Sequence, residues 1–378
     1  LKIVKNIFLV FVAFFFTLQL CAQKQHIKTK SNKRSTATMP GAISGITSDT
    51  SVPVKIKYDT VAENMLLYQK ANGGWPKQFQ KIKVDYKKIL SADELRELKA
   101  GYAQSMEATI DNNATTREIR YLAGLYKNTG DKRFLQAAER GIGFLLKAQL
   151  GNGGWPQYYP DFSLYRGQIT YNDNAMINVL NVLTDLVEGT GGLDVISEAL
   201  VKPAADAVKR GIICIYKTQV VQDGKLTVWC AQHDAVTLKP ARARAYELPS
   251  LSGGESVGIL RFLMRFNDPG EEMKTAITAG IEWYEKAKIT GYKFAEITAP
   301  QLPGGRDKVL LPDPGGIMWA RFYDLETNQP FFCGRNGEKK KTIAEVELER
   351  RTGYAWYITS PLKLINEEYP KWKAKWMK

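Results

Sequence analysis

The sequence predicts an all-α fold: an α/α toroid of antiparallel helical hairpins whose long loops gather on one face. Three observations predict it. AAERGIGFLLKAQ, AVKRGIICIYKTQ and AITAGIEWYEKAK align around Gly-Ile pairs at 141–142, 211–212 and 280–281, a unit that recurs after 70 and then 69 residues. Each copy carries apolar residues at helical spacing and a glycine where neighbouring helices can approach closely. Between the copies lie partner helices over 117–127, 175–188 and 257–266, each ending in a Gly- or Pro-bearing turn at 128–130, 189–192 or 267–270. Helix, turn, helix and long loop in succession can close into a ring. The run 342–358 reads as one more helix closing it, and 301–335 as a long irregular segment.

In chain order, Lys2 and Lys5 precede an unbroken apolar run over 7–20, followed by Cys21-Ala22-Gln23. A basic start, a short apolar core and a small residue before a polar stretch describe a secretory signal peptide over 1–22, cleaved near Ala22. The run is short for a membrane span, and no later stretch is long and apolar enough for one. Residues 23–58 are rich in Lys, Ser and Thr and read as a disordered tether. The folded domain is expected over 59–378.

Charged residues make up 24% of the chain and hydrophobic ones 44%, ordinary for a soluble globular protein. The formal net charge is +14, and seven Lys/Arg with one Asp fall in the first fifty residues, so the remainder is still basic. For an exported chain the fitting polyanions are acidic polysaccharides and cell surfaces rather than nucleic acid. After the signal, Cys214, Cys230 and Cys333 remain, which excludes a disulfide scaffold, and no CxxC spacing suggests zinc. Only His26 and His233 are present, and His26 lies in the tether, so a histidine-based triad has one candidate at most. His233, in WCAQHD, reads as a hydrogen-bonded structural residue.

Two loops repeat almost word for word: Asn72-Gly73-Gly74-Trp75-Pro76-Lys77 and Asn152-Gly153-Gly154-Trp155-Pro156-Gln157. Either Gly ends the preceding helix, Trp packs between hairpins and Pro stiffens the exit, or Trp155 with Tyr158 and Tyr159 stacks on sugar rings. Two oxygen-rich clusters, Asp111-Asn112-Asn113 and Asn172-Asp173-Asn174, sit just before partner helices. Helix capping needs one such residue each; three in a row also suit a hard cation such as Ca²⁺, and both readings stand.

Further on, 239–256 (KPARARAYELPSLSGGES) places Arg242 and Arg244 beside Tyr246 and Glu247 on a loop that enters a helix, a natural place to hold an anion. Arg321 and Arg335 flank WARFYDLETNQPFFCGRNG, where aromatics interleave with arginines. They read either as solvated surface residues or as the lining of a groove for carboxylates.

These motifs together resemble a known family. NGGWP, TIDNNAT, YNDNAM, VWCAQHD, ARAYELPSLSGGES, MWARFYDLETNQPFFCGRNG and RRTGYAWY occur in the order found in pectate lyases of polysaccharide lyase family ten, across about 59 to the C-terminus. The resemblance implies an α/α toroid and Ca²⁺-assisted β-elimination of α-1,4-polygalacturonate, giving 4,5-unsaturated oligogalacturonates. It makes 59–378 the catalytic domain of a secreted or periplasmic bacterial enzyme, expected to be a monomer with no nucleic-acid partner. It assigns Ca²⁺ to Asp111 and Asp173 with Asn112, the base to Arg244, and carboxylate binding to Arg321 and Arg335. An arginine base needs a lowered pKa: from about 12.5–13.8 to about 10 costs roughly 3–5 kcal/mol. Neighbouring cations and desolvation push that way, so an alkaline optimum is expected.

Two other readings remain. Gln69, Gly73 and Trp75, and Gln149, Gly153 and Trp155, fit the QxxxGxW pattern of triterpene cyclases, but no DxDD acid motif is present. A carbohydrate-binding protein without turnover would keep the Trp and Arg contacts and lose the base.

Overall fold

The repeat folds as successive helix pairs. The structure is a computed structural model that describes residues 59–102 and 107–377. The segments expected as signal peptide and tether, 1–22 and 23–58, lie outside the described residues. After α1 (Thr60–Tyr68) and α2 (Ala92–Tyr102), α3 (Thr116–Thr129) packs on α4 (Lys132–Ala148). In the same way α5 (Ala175–Glu188) packs on α6 (Val201–Thr218), and α7 (Glu255–Met264) on α8 (Glu271–Ala287). Helices α3, α5 and α7 also touch in one row, and α4, α6 and α8 in another.

The glycine at the centre of each repeat is there for contact. A Cβ on Gly141 would lie 2.6 Å from Ile119 and 2.8 Å from Trp75, and one on Gly211 would lie 2.6 Å from Leu180 and 3.1 Å from Trp155. Only a residue without a side chain lets the two rows close.

The near-identical loops are clamps between repeats. Gln69 Nε2 donates to the carbonyls of Gly73 and of Ala137 in α4, each at 2.8 Å. Gln149 donates to Gly153 and to Ala207 in α6, each at 2.9 Å. Trp75 and Trp155 are fully buried, with indole N–H groups donating at 2.7 Å to Met65 and Leu145. Gly153 holds φ +93° and packs against the Arg210 carbonyl, a conformation that other residues rarely adopt. A third copy escapes the NGGWP pattern: Gln219 bonds Thr227 and Ala276 in α8, and Trp229 bonds Ile215. The repeated Gln and Trp side chains are thus satisfied by the protein's own backbone, and the pattern acts as a structural clamp.

The all-α expectation is corrected by the strands. Among the described residues there are a three-stranded antiparallel sheet and six two-stranded ladders. The large sheet pairs Ile289–Thr298 with Arg306–Ala320, which in turn pairs with Tyr357–Ile358. The segment expected to be irregular is thus mostly a long hairpin. Its prolines and Gly315-Gly316 mimic loop composition, but a bulge between Thr290 and Tyr292 absorbs the irregularity. The helix expected over 342–358 shrinks to Leu348–Gly353, between a 3₁₀ turn and the short strand Tyr357–Ile358. A separate aromatic core, including Tyr246, Phe322, Phe332 and Trp356, lies under these segments. Cys214, Cys230 and Cys333 are buried free thiols.

Gly211→Val is expected to overpack α6 against Leu180 and Trp155 and to destabilise the domain by about 1–3 kcal/mol. Equilibrium chemical denaturation reads this directly.

Candidate active site

Three short ladders set up the site. Ala108–Thr109 pairs with Tyr158–Tyr159, Ile169–Thr170 with Gln232–His233, and Leu251–Ser252 with Phe322–Tyr323. In each case the first strand accepts its place from the preceding clamp. Thr109, Thr170 and Ser252 donate their backbone N–H to the carbonyls of Trp75, Trp155 and Trp229, at 3.0, 3.1 and 2.7 Å. Each strand then delivers a polar group at the start of α3, α5 or α7: Asp111, Asp173 and Glu255.

The Asx clusters do not cap their helices, since neither α3 nor α5 has a side-chain cap bond. They supply left-handed backbone instead. Asn112, Asn113, Asp173 and Asn174 all have φ between 51° and 64°, a region that Asn and Asp tolerate best among residues with side chains. This turn aims the side chains into the cleft. Asp111 is buried; its Oδ2 pairs with Lys77 Nζ, while its Oδ1 is buried without a protein partner. Asp173 opens to the cleft, yet the surrounding protein desolvates it and raises its pKa. Arg321 and Arg244 oppose that rise, and Glu255 and Asp111 add to it.

Arg321 links two entrances. Its Nη2 donates to Glu255 Oε1 at 2.8 Å and to Asn172 Oδ1 at 3.2 Å, and the guanidinium lies 4.7 Å from the Tyr354 ring. Burial acts to lower its pKa, but Glu255, Tyr354, Asp173 and Glu247 outweigh that and hold it above the ordinary value.

Arg244 is half-exposed, with a side chain 44% accessible. Its Nε donates to Glu247 Oε2 at 2.7 Å and its Nη2 to Glu247 Oε1, while Tyr354 Oη donates to the same Oε1 at 3.1 Å. The Glu247 hydrogen bond raises the Arg244 pKa more than burial lowers it. In this arrangement Arg244 is a firmly protonated cation, opposite to the lowering expected from sequence. Arg335 is exposed and bidentate to Glu349, at 2.8 and 2.7 Å. Among the described residues it makes no hydrogen bond or ion pair with Asp173 or Arg321, and it approaches the site at the Tyr246 ring, 5.8 Å away.

Two proposed sugar contacts resolve differently. Trp155 has no accessible surface, because its ring fills the space over Gly211, so the structure removes it from the substrate-contacting residues. Tyr158 is half-buried under Lys77 at 5.8 Å and Arg166 at 4.7 Å, and steadies Lys77 over Asp111. His233 is buried: Cys230 N–H donates to its Nε2 at 3.1 Å and its Nδ1 lies 2.9 Å from the Leu238 carbonyl. Burial pulls its pKa down to about 4, so it is neutral and structural.

Four site residues were missed from sequence. Glu255, at the start of α7, occupies the third entrance. Lys77 carried a signal, since it is where the two repeated loops differ, standing opposite Gln157. Arg350 and Tyr354 lie in the RRTGYAWY motif. Arg350 is buried, with its guanidinium 3.8 Å from the Tyr246 ring and 4.2 Å from the Tyr354 ring, and its Nε and Nη2 without hydrogen-bond partners.

A cleft that sets carboxylates against arginines on a loop-bearing helical scaffold suits an enzyme acting on an acidic polymer. The family model described as pectic acid lyase matches residues 69–365. A solved family 10 polysaccharide lyase from Cellvibrio cellulosa is similar at 37% identity and TM-score 0.72, over 82% of this chain and 91% of that one. An aspartate-to-alanine mutant of a family 10 polysaccharide lyase from the same organism, in complex with trigalacturonic acid, matches at 37% identity and TM-score 0.72, over 82% and 92%. No curated protein matches. The chain belongs to the pectate lyases of polysaccharide lyase family ten and is a polysaccharide lyase.

Arg350→Ala removes the desolvated cation–π contacts with Tyr246, Tyr354 and Trp356 and is expected to cost roughly 2–4 kcal/mol in chemical denaturation. Arg350→Lys is expected to recover little, because an ammonium does not stack between two rings.

Proposed function

We propose that the substrate is α-1,4-polygalacturonate, cleaved by β-elimination. The observation that carries this reading is the convergence of Asp111, Asp173 and Glu255 at three equivalent helix entrances, with Arg321 joining two of them and Arg244 near Asp173. The trigalacturonic acid bound by the Cellvibrio mutant lyase agrees with it.

The chemistry takes the C5 proton of a uronate, forms the C4–C5 double bond and expels the C4 oxygen to the leaving chain. Arg244 is the proposed base, and its pair with Glu247 must then loosen when substrate enters, because an ion-paired guanidinium holds its proton. Tyr354, bonded to Glu247, would keep that carboxylate in place as Arg244 turns away. Arg335, exposed, would exchange Glu349 for a uronate carboxylate, while Arg321 steadies Glu255 and Asn172.

Ca²⁺ is proposed at Asp111 and Asp173 with Asn112. The donors fit a hard cation: all are oxygens, and Asp111 Oδ1 is an orphaned buried acceptor. Among the described residues no group of three or more His, Cys, Asp or Glu could hold a metal by itself, so a substrate carboxylate would complete the shell, and Lys77 would have to release Asp111. When bound, the cation supplies charge neutralisation of the uronate and stabilises the developing enolate. Export through the 1–22 segment, a tether over 23–58 and a monomeric state complete the proposal. No helix among the described residues is long and apolar enough to cross a membrane.

Polygalacturonate with Ca²⁺ is expected to give rising ultraviolet absorbance from the unsaturated product. Arg244→Ala is expected to lower kcat by about 10²–10⁴, and chelation to abolish turnover. No absorbance rise with the wild type sinks the lyase reading on this substrate; equal rates for Arg244→Ala remove the base; activity in chelator removes Ca²⁺.

A further inference from the structure

Resting on the Ca²⁺ reading, we propose that Glu255 is a positioning residue for the cation site: it holds Arg321 so that this guanidinium does not neutralise Asp173. Arg321 is a buried cation, with a side chain 13% accessible, and it needs a carboxylate beside it. Asp173 and Glu255 both lie within its electrostatic reach. Among the described residues it forms its ion pair with Glu255, at 2.8 Å, and none with Asp173.

Each side of this choice has a structural cause. Glu255 is 6% accessible and held at both oxygens: Oε1 accepts from Arg321, and Oε2 accepts from the Ser252 hydroxyl. The same hydroxyl accepts the Glu255 backbone N–H at 3.2 Å, which locks the carboxylate at the first turn of α7. On the other side, Asn172 bonds both the guanidinium and Asp173. Its Oδ1 accepts from Arg321 at 3.2 Å, and its Nδ2 donates to Asp173 Oδ2 at 2.9 Å. Asp173 thus receives an amide hydrogen bond in place of a cation, and its charge stays available to a metal ion. The first entrance differs, because Lys77 has Asp111 as its ion-pair partner and lies directly on it. Without the Glu255 charge, Arg321 would be a stranded buried cation with Asp173 and Glu247 still in reach. Glu247 is already bound to Arg244, so Asp173 is the carboxylate left to take it.

The test is calorimetric titration of Ca²⁺ in the presence of galacturonate, which offers a carboxylate and has no glycosidic bond to cleave. Wild type, Glu255→Gln, Arg321→Gln and the double variant form a cycle. Glu255→Gln is expected to weaken Ca²⁺ binding about tenfold, and to have no effect in the Arg321→Gln background. Unchanged binding in Glu255→Gln overturns the inference. So does an equal loss in both backgrounds, because Glu255 would then act without Arg321. Should Glu255→Gln fail to fold, Glu255→Asp withdraws the carboxylate from Arg321 on a shorter stem. It is expected to weaken binding about threefold when Arg321 is present and not in Arg321→Gln; no loss overturns the inference. A wild type that binds no Ca²⁺ removes the Ca²⁺ reading and this inference with it. Lyase activity is read separately, by ultraviolet absorbance on polygalacturonate.

Discussion

Four carboxylates, Asp111, Asp173, Glu247 and Glu255, converge on the loop face, and offsetting their repulsion governs how the cleft is built. Lys77 answers Asp111, Arg244 answers Glu247, and Arg321 answers Glu255. Asp173 alone is left facing the cleft without a dedicated cation, and its pKa is raised by desolvation first, with Glu255 and Asp111 adding to it. Buried pairs of this kind gain little over apolar packing, but losing one partner strands a charge. Their geometry must therefore be held firmly. The Arg350 guanidinium between Tyr246 and Tyr354 does this from below, because Tyr246 carries Arg244 at 4.9 Å and Tyr354 carries Arg321 at 4.7 Å.

The scaffold fixes where these groups emerge. Each clamp glutamine ties one repeat to the next, and each clamp tryptophan hands its carbonyl to the strand that leads into a helix entrance. Three entrances thus open in register. The same repetition explains why Asp111, Asp173 and Glu255 meet although they are far apart in the chain.

How much of this was legible follows from physics. Helical periodicity and the Gly-Ile repeats exposed the paired helices, because a 3.6-residue pattern and an excluded Cβ leave local traces. The strands left few: most ladders are two residues long, set by partners distant in sequence, and the long hairpin hides behind Pro312, Pro314 and two glycines. In the site, Asp111 and Asp173 announced themselves by excess polarity, though the left-handed backbone behind that excess was not foreseen. Glu255 was hidden because Arg242 and Arg244 drew the functional reading of its loop, and one glutamate in the first turn of a helix reads as an ordinary dipole partner. Trp155 misled because a repeated aromatic looks alike whether it packs or binds.

The remaining tension is between Arg244 as proposed base and Arg244 as a protonated partner of Glu247. If Glu247 raises its pKa, the unprotonated fraction grows only at high pH, and neutralising Glu247 lets Arg244 release its proton earlier. The decisive measurement is the pH dependence of kcat/KM for wild type and Glu247→Gln. The account predicts an alkaline rising limb in the wild type that moves to lower pH in the variant, with a reduced plateau because Arg244 is less well oriented. A limb that stays in place or moves upward would contradict it.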